Sequence, residues 1–263
     1  MIILKIGGGE SINLEGIVAD LKDINEPCVI VHGANALRDA LAEKLGTPKQ
    51  VVTSTSGYAS VLSDQNAIDV ILMSYAGLRN KRLVEMCQRN GINAVGLTGI
   101  DGKAVSGERN KGIRVRENKK TLIKRDFSGK ARSANGPLLR LLLDNGYTPV
   151  LTIPIVDERG YAVNSENDDI INAVQAALGA QTVVQFIEAA GFLDDAANPD
   201  SLVSSMSRAE VAIREQQVEG RMKRKMLALK SLVQTDVNKI IIADGRVEHP
   251  LRDALSGHGT TIQ

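Results

Sequence analysis

Tryptophan is absent from these 263 residues, and aromatic side chains make up only 3%. Single-stranded nucleic-acid binders stack bases on aromatic platforms, and this chain has few to offer. Cysteine is nearly absent too. Cys28 and Cys87 stand far apart in apolar contexts, which leaves no zinc motif and no disulfide framework. Two free core thiols in a reducing compartment are the expectation. The amino-terminal MIILKIGGGE is short and interrupted by Lys5, which excludes a secretory signal or membrane span there and predicts a cytoplasmic protein. No GxxxxGK(S/T) phosphate loop occurs, and Gly7 to Gly9 do not open a GxGxxG fingerprint. Internal repeats and low-complexity stretches are also missing.

What is present is ordinary globular composition, 43% hydrophobic and 24% charged. The length suits one large unit with two lobes. Short β-branched runs alternate with helical patterns. The runs are MIILKI (1–6), CVIVH (28–32), NAVGLT (93–98), TPVLTIP (148–154), TVVQFI (182–187) and KIIIA (239–243). Continuous apolar runs of this length suit strands buried on both faces of a parallel sheet. The alternation predicts an α/β fold, a three-layer α/β/α sandwich with a mainly parallel central sheet.

The net charge of +1 conceals a segregation. Residues 106–133 carry 10 Lys/Arg against 3 Asp/Glu, and the remainder holds 22 basic against 28 acidic side chains. Within that segment IRVRE and KTLIKRD flank the polar ENKK, which predicts a projecting antiparallel hairpin. Segregated charge of this kind steers a charged partner.

In open parallel sheets ligands bind at the carboxyl ends of strands, and four ends here are distinctive. KIGGG places three glycines after the first strand, where backbone N–H groups can meet phosphates; a tight strand–helix turn is the alternative. Lys5, one residue before that end, is costly to bury without an anionic partner. VHGAN (31–35) puts Gly33 before a helix start, a place that favours anions, and His32 reads as a hydrogen-bonded structural residue. In VNSENDD (163–169), Asn164 or Ser165 suits a helix cap, while Asp168 is equally placed to orient lysines. In EGRMKRKM (219–226) a helix starts near Arg221. Met222, Met226, Leu229 and Val233 share its buried face, and Lys225 lies about 60° from Met222, at the edge of that face. Lys223 and Arg224 point away from it.

KIGG, HGA, NSEND and GRMKRK, in this order, resemble the amino acid kinase family and its acetylglutamate kinase branch. The likeness runs from Lys5 to Thr260. Within the branch, GLRNKRLVE (77–85), GLTGIDG (96–102) and IIADGRVEHPLRDALSGHGT (241–260) are most similar to kinases acting on an amino-group carrier protein. The resemblance implies the carbamate-kinase-like fold, with an acceptor-binding lobe over 1–165 and a nucleotide-binding lobe over 166–263. It implies ATP and Mg²⁺, and transfer to the side-chain carboxylate of carrier-bound 2-aminoadipate or glutamate, in lysine or arginine biosynthesis. By the same likeness Lys5 and Lys225 contact the transferring phosphoryl group, and Asp168 holds both lysines. Gly7 and Gly8 meet ATP phosphates, as does Lys225. Gly33 and Ala34 bind the acceptor carboxylate, and Asn164 its α-side groups. An acidic carrier protein would dock on Lys119, Lys120, Lys124 and Lys223, and a homodimer would form through residues 65–90. No nucleic acid or membrane partner is implied.

The chain departs from that family pattern at Ala34, where a second glycine is usual. It departs again at Val61, where an arginine usually binds the acceptor, and at Ile187 and Glu188, near the nucleotide. The phosphoryl-transfer residues are kept. A kinase of free N-acetylglutamate and a weakly catalytic regulatory homologue are the alternatives. The helical phase at 219–226 yields a direct prediction. Lys225→Ala should abolish phosphoryl transfer, whereas Lys223→Ala should chiefly weaken carrier binding; steady-state kinetics showing two mild effects would contradict this division.

Overall fold

In the computed structural model, residues 1–53, 59–117, 120–195, 197–218 and 220–263 are described, with 59, 60, 116, 117, 120 and 220–225 described by backbone alone. All six apolar runs become strands of one eight-stranded sheet. Its order is Ser205–Met206, Thr260–Ile262, Lys239–Asp244, Thr182–Ile187, Ile2–Ile6, Cys28–His32, Thr148–Thr152, Ala94–Thr98. The six strands from Lys239–Asp244 to Ala94–Thr98 are mutually parallel. Thr260–Ile262 runs antiparallel beside them and carries the two-residue strand at the edge. These last two strands were not evident in the sequence, being too short to show a period.

Strand pleating divides the apolar side chains between two layers. Ile2, Leu4 and Ile6 pack with Ile17, Leu83 and Leu251 on one face. Ile3 packs on the other, among Ile170, Val174, Met226 and Leu229. Helices therefore cover both faces, as the three-layer reading expects. Lys5 shares the parity of Ile3, so it faces the layer containing helices Asn167–Leu178 and Gly220–Val233. No helix among the described residues is long and apolar enough to cross a membrane.

Helix boundaries follow local chemistry. Ser207 and Glu210 close a capping box on Arg208–Gln217. Asn164 and Ser165 do not cap Asn167–Leu178. Its N-cap is Glu166, without a side-chain bond, because Asn164 Nδ2 is drawn to Ser63 Oγ at 3.1 Å and Ser165 Oγ accepts from Ala131 N at 3.2 Å. The segment 65–89 is helical throughout but passes through a π-helical stretch, Leu72–Arg79.

The basic segment holds more than a hairpin. Ile113–Glu117 and Lys120–Lys124 pair antiparallel as expected. The flanks, Val105–Arg109 and Gly129–Ala134, pair with each other and join a second, four-stranded sheet with Ile155–Val156 and Ala162–Val163. That sheet packs its Val105, Ala131, Ile155 and Val163 into the same layer as Ile3, which brings the basic segment close to the strand ends.

Cys28 and Cys87 are buried free thiols, and burial pushes the Cys87 thiol up to about 11. His32 is fully buried. Its Nε2 faces Asn80 Nδ2 at 3.1 Å, and Asn80 also donates to Val150 O at 3.0 Å. An amide N–H donates, so Nε2 is the acceptor and the ring proton sits on Nδ1, 3.3 Å from Gly33 O. Burial lowers the His32 pKa to about 3. The unfolded chain then binds a proton near pH 6.5 that the native chain refuses. This contribution to stability is complete above pH 6.5 and is lost toward pH 3, at about 1.4 kcal/mol per pH unit. Urea unfolding at pH 7 and pH 5 should show a drop of about 2 kcal/mol from this group, absent in His32→Gln. An equal drop in both proteins would contradict the assignment.

Candidate active site

The first strand ends at Ile6 between Thr182–Ile187 and Cys28–His32. Gly7 N–H continues the ladder by donating to Phe186 O at 3.0 Å. It is therefore engaged, contrary to its expected place as a phosphate donor. Gly8 and Gly9 N–H groups have no acceptor among the described residues. Gly33 N–H donates to Ile6 O at 2.9 Å and Ala36 N–H to Gly8 O at 3.0 Å. These bonds press the two glycine loops together. A methyl group on Gly8 would stand 2.6 Å from Asn35 N and 2.8 Å from Ala34 N. One on Gly33 would stand 2.8 Å from Gly8 N. Neither backbone can give way cheaply, so glycine is required at both positions.

Lys5 Nζ donates to Asp168 Oδ1. The two side chains are only 12% and 18% exposed, so each removes much of the other's cost of burial. Asp168 lies in the first turn of Asn167–Leu178, at the positive end of the helix dipole. The next residue, Asp169, is raised by burial, against the pull of Lys130 at 3.6 Å. Ion pair and glycine loops thus converge at one end of the parallel sheet. Fixed donors and a cation at such a place can hold phosphate oxygens and a carboxylate side by side.

The remaining sequence candidates are distributed around this point. Ala34 is buried and begins Asn35–Lys44. Asn164 lies on the second sheet's side, bonded to Ser63. Backbone helix Gly220–Val233 packs beside Asn167–Leu178, where Asn172 Nδ2 reaches Ala228 O at 3.1 Å. The side chains of Lys223 and Lys225 lie outside the described residues, as do Lys119 and the side chain of Lys120. Lys124 ends the second strand of the hairpin.

Two residues, Tyr75 and Asn167, were missed from the sequence, and for a third, Glu188, the departure was noted but its contacts were not. Tyr75, buried in the π-helical stretch, donates its hydroxyl to Asn35 Oδ1 and lies at the Ala34 N–H; burial raises its pKa. Asn167 reaches between the loops. Its Nδ2 would lie 3.2 Å from a Gly33 methyl, and its Oδ1 is buried without a partner among the described residues. Glu188 accepts from Ser11 N at 3.0 Å and Ser11 Oγ at 2.6 Å, and the Ser11 hydroxyl holds its carboxyl below the usual range. It lies directly against Gly9, where a methyl would meet it at 2.0 Å. The departure at 188 therefore fastens the glycine loop. Asn167 was legible as a short polar residue in the motif, whereas a tyrosine in an apolar helix gives no signal of its reach. An open groove of about 540 Å³ on the second sheet, lined by Lys103, Arg132, Asp157 and Arg159 among others, shares no residue with this site.

Residues 1–244 match the model of the amino acid kinase family. The chain is 37% identical to the LysW-aminoadipate kinase of Thermus thermophilus, covering all of both chains. It is 35% identical to the LysW-aminoadipate kinase of Deinococcus radiodurans, over all of this chain and 91% of that one. In structure it resembles a carbamate kinase from Giardia, with a TM-score of 0.67 at 13% identity over 99% of this chain and 97% of that one.

The loop contacts set a steric test. Gly8→Ala should lower kcat/KM by about 100-fold or more, because a shift of about 1 Å in aligned groups costs that much, with an unaltered circular dichroism spectrum. Wild-type kinetics in that variant would show that the loops do not define the site.

Proposed function

The chain belongs to the amino acid kinase family, and on that premise we propose that it transfers the γ-phosphoryl group of ATP to the side-chain carboxylate of 2-aminoadipate, or glutamate, carried by a small acidic LysW-type protein. It is a phosphotransferase whose acceptor is a carboxyl group, of the kind that serves amino-acid biosynthesis. The full-length likeness to the Thermus kinase supports the acceptor. The observation that carries the chemistry is the Lys5–Asp168 pair beside the two interlocked glycine loops.

A carboxylate is ionised at neutral pH, so no general base is needed. One of its oxygens forms a bond to the γ-phosphorus while the bond to the β,γ-bridging oxygen breaks, and ADP leaves with those electrons. The task is to hold two anions together and neutralise charge on the equatorial oxygens. Lys5 does this from the strand, and Lys225 from the facing helix. Asp168 fixes Lys5 and, in this reading, Lys225 as well. The Gly8 and Gly9 N–H groups, unpaired among the described residues, face the phosphates; Gly33, whose own N–H is taken by Ile6 O, serves the acceptor carboxylate only by letting it approach closely beside Ala34. Mg²⁺ would arrive on ATP, since such sites hold it through one or two carboxylates and the phosphates. Closure between residues 1–165, as acceptor lobe, and 166–263, as nucleotide lobe, would exclude water.

The hairpin supports a carrier. Leu122 and Ile123, the latter 63% exposed, lie among the basic residues of Lys120–Lys124. Val115 and Ile113 pack against Val52, in the neighbouring hairpin Val51–Thr53/Ala59–Val61, and Leu62, just after it. An exposed apolar pair beside Lys124 suits an acidic protein, and Lys119 and Lys120, whose side chains lie outside the described residues, would join that docking surface. Lys223 would extend it. The exposed Met73 and Leu78 of segment 65–89 support a homodimer there, and the enzyme would act in the cytoplasm.

A hydroxamate assay with ATP and Mg²⁺ tests the reading. The loaded carrier should be turned over far faster than free N-acetylglutamate; equal rates would remove the carrier from the function.

A further inference from the structure

We propose that Arg109 and Arg125, stacked on Phe127 beside Asn164 and Ser63, hold the α-carboxylate of the acceptor and thereby set its specificity. The inference deepens the function proposed above and rests on it. An aminoadipate joined to a carrier through its amino group has two carboxylates. One is phosphorylated. The other enters the cleft as a full charge and needs a cationic partner.

The obvious neighbours do not supply that partner. Asn164 is a neutral amide, already donating to Ser63 Oγ at 3.1 Å. Val61, ending the adjacent hairpin strand, is apolar. Phe127 joins these groups: its N–H donates to Ser63 O and its carbonyl accepts from Asn164 N, both at 2.7 Å. The Arg109 guanidinium lies 3.9 Å from the centre of the Phe127 ring, and that of Arg125 at 4.9 Å. Two cations are thus anchored on the residue whose backbone bridges Ser63 and Asn164.

Both are available for an anion. Arg109 Nε donates to Asp126 O at 2.9 Å, which fixes the plane of the group and leaves its two terminal nitrogens. Glu158 takes the backbone N–H of Arg109 at 3.2 Å, not the guanidinium. The Asp126 carboxylate accepts from Ser63 N and Ser128 Oγ. No carboxylate lies within 4.0 Å of either guanidinium among the described residues. Two other cations of the same segment are matched, Lys130 with Asp169 and Arg132 with Glu108. A guanidinium held on an aromatic face presents a fork shaped for a carboxylate.

The test uses the full-length enzyme and two loaded carriers. One bears 2-aminoadipate; the other bears 5-aminopentanoate, which has the same chain and reacting carboxylate but no α-carboxylate. Arg109→Gln, Arg125→Gln and the double variant keep most of the stacking stem, and thermal unfolding checks their folding. On the aminoadipate carrier, kcat/KM should fall by about 10- to 100-fold in the double variant, the range of a charge-assisted hydrogen bond. The loss should appear in KM for the carrier, with KM for ATP unchanged. On the aminopentanoate carrier the wild type should already be weakened and the variants should lose nothing more. Arg109→Lys should fall between wild type and Gln. An equal loss on both carriers would assign the arginines to the carrier's surface and overturn the proposal, as would no loss on either. A wild type inactive on the loaded carrier would overturn the function itself, and this inference with it.

Discussion

Lys5 is nearly enclosed at the end of the central strand, and Asp168 is what makes that position tolerable. Removing one partner of such a pair typically costs about 3–5 kcal/mol, because the other is left charged and buried. An apolar pair would suit stability equally well, so the ion pair is better explained by what it faces than by what it holds up. It links residues 163 positions apart and fixes the first strand against the start of helix Asn167–Leu178. The neighbouring glycine contacts follow from the same requirement. In the proposed reaction a lysine at the strand end would meet a phosphoryl group between the two flanking loops, and Gly8 and Gly33 approach so closely that neither admits a methyl group.

Behind this front lies a neutral support. His32, Asn80 and Val150 form a buried chain under the Gly33 carbonyl. Tyr75 reaches the same loop from the π-helical stretch. Glu188 secures the first glycine loop through Ser11. These groups use hydrogen bonds where direct charge would compete with an anionic ligand. The exception, Glu188, directs its carboxylate into the loop's own N–H and hydroxyl donors. In the proposed reading, the arginines stacked on Phe127 would extend this arrangement to the far end of the acceptor.

Much of the architecture was legible because its signals are periodic. All six long strands and the helix Asn167–Leu178 follow from apolar patterning, and Lys5 stood out as a charge in an apolar run. The edge strands were not legible, being two and three residues long. The second sheet was hidden because its strands alternate charged and small residues, so Val105–Arg109 and Gly129–Ala134 read as part of one basic hairpin. Asn164 and Ser165 misled for a physical reason: a cap is a local bond, and here distant partners, Ser63 and Ala131, won. Gly7 looked equivalent to Gly8 in the sequence, and only the ladder bond to Phe186 separates them. Tyr75 and Arg109 gain their places from tertiary approach, which no spacing along the chain reveals.

In the proposed function Asp168 acts by orienting lysine toward the phosphoryl group during transfer, rather than by binding either reactant. Single-turnover phosphorylation of the loaded carrier by Asp168→Asn, with ATP affinity measured separately, tests it most directly. The chemical step should slow by about 10²–10³, the usual effect of removing one fixed electrostatic contribution, while ATP affinity changes only a few-fold. An unchanged single-turnover rate with markedly weaker ATP binding would contradict the account.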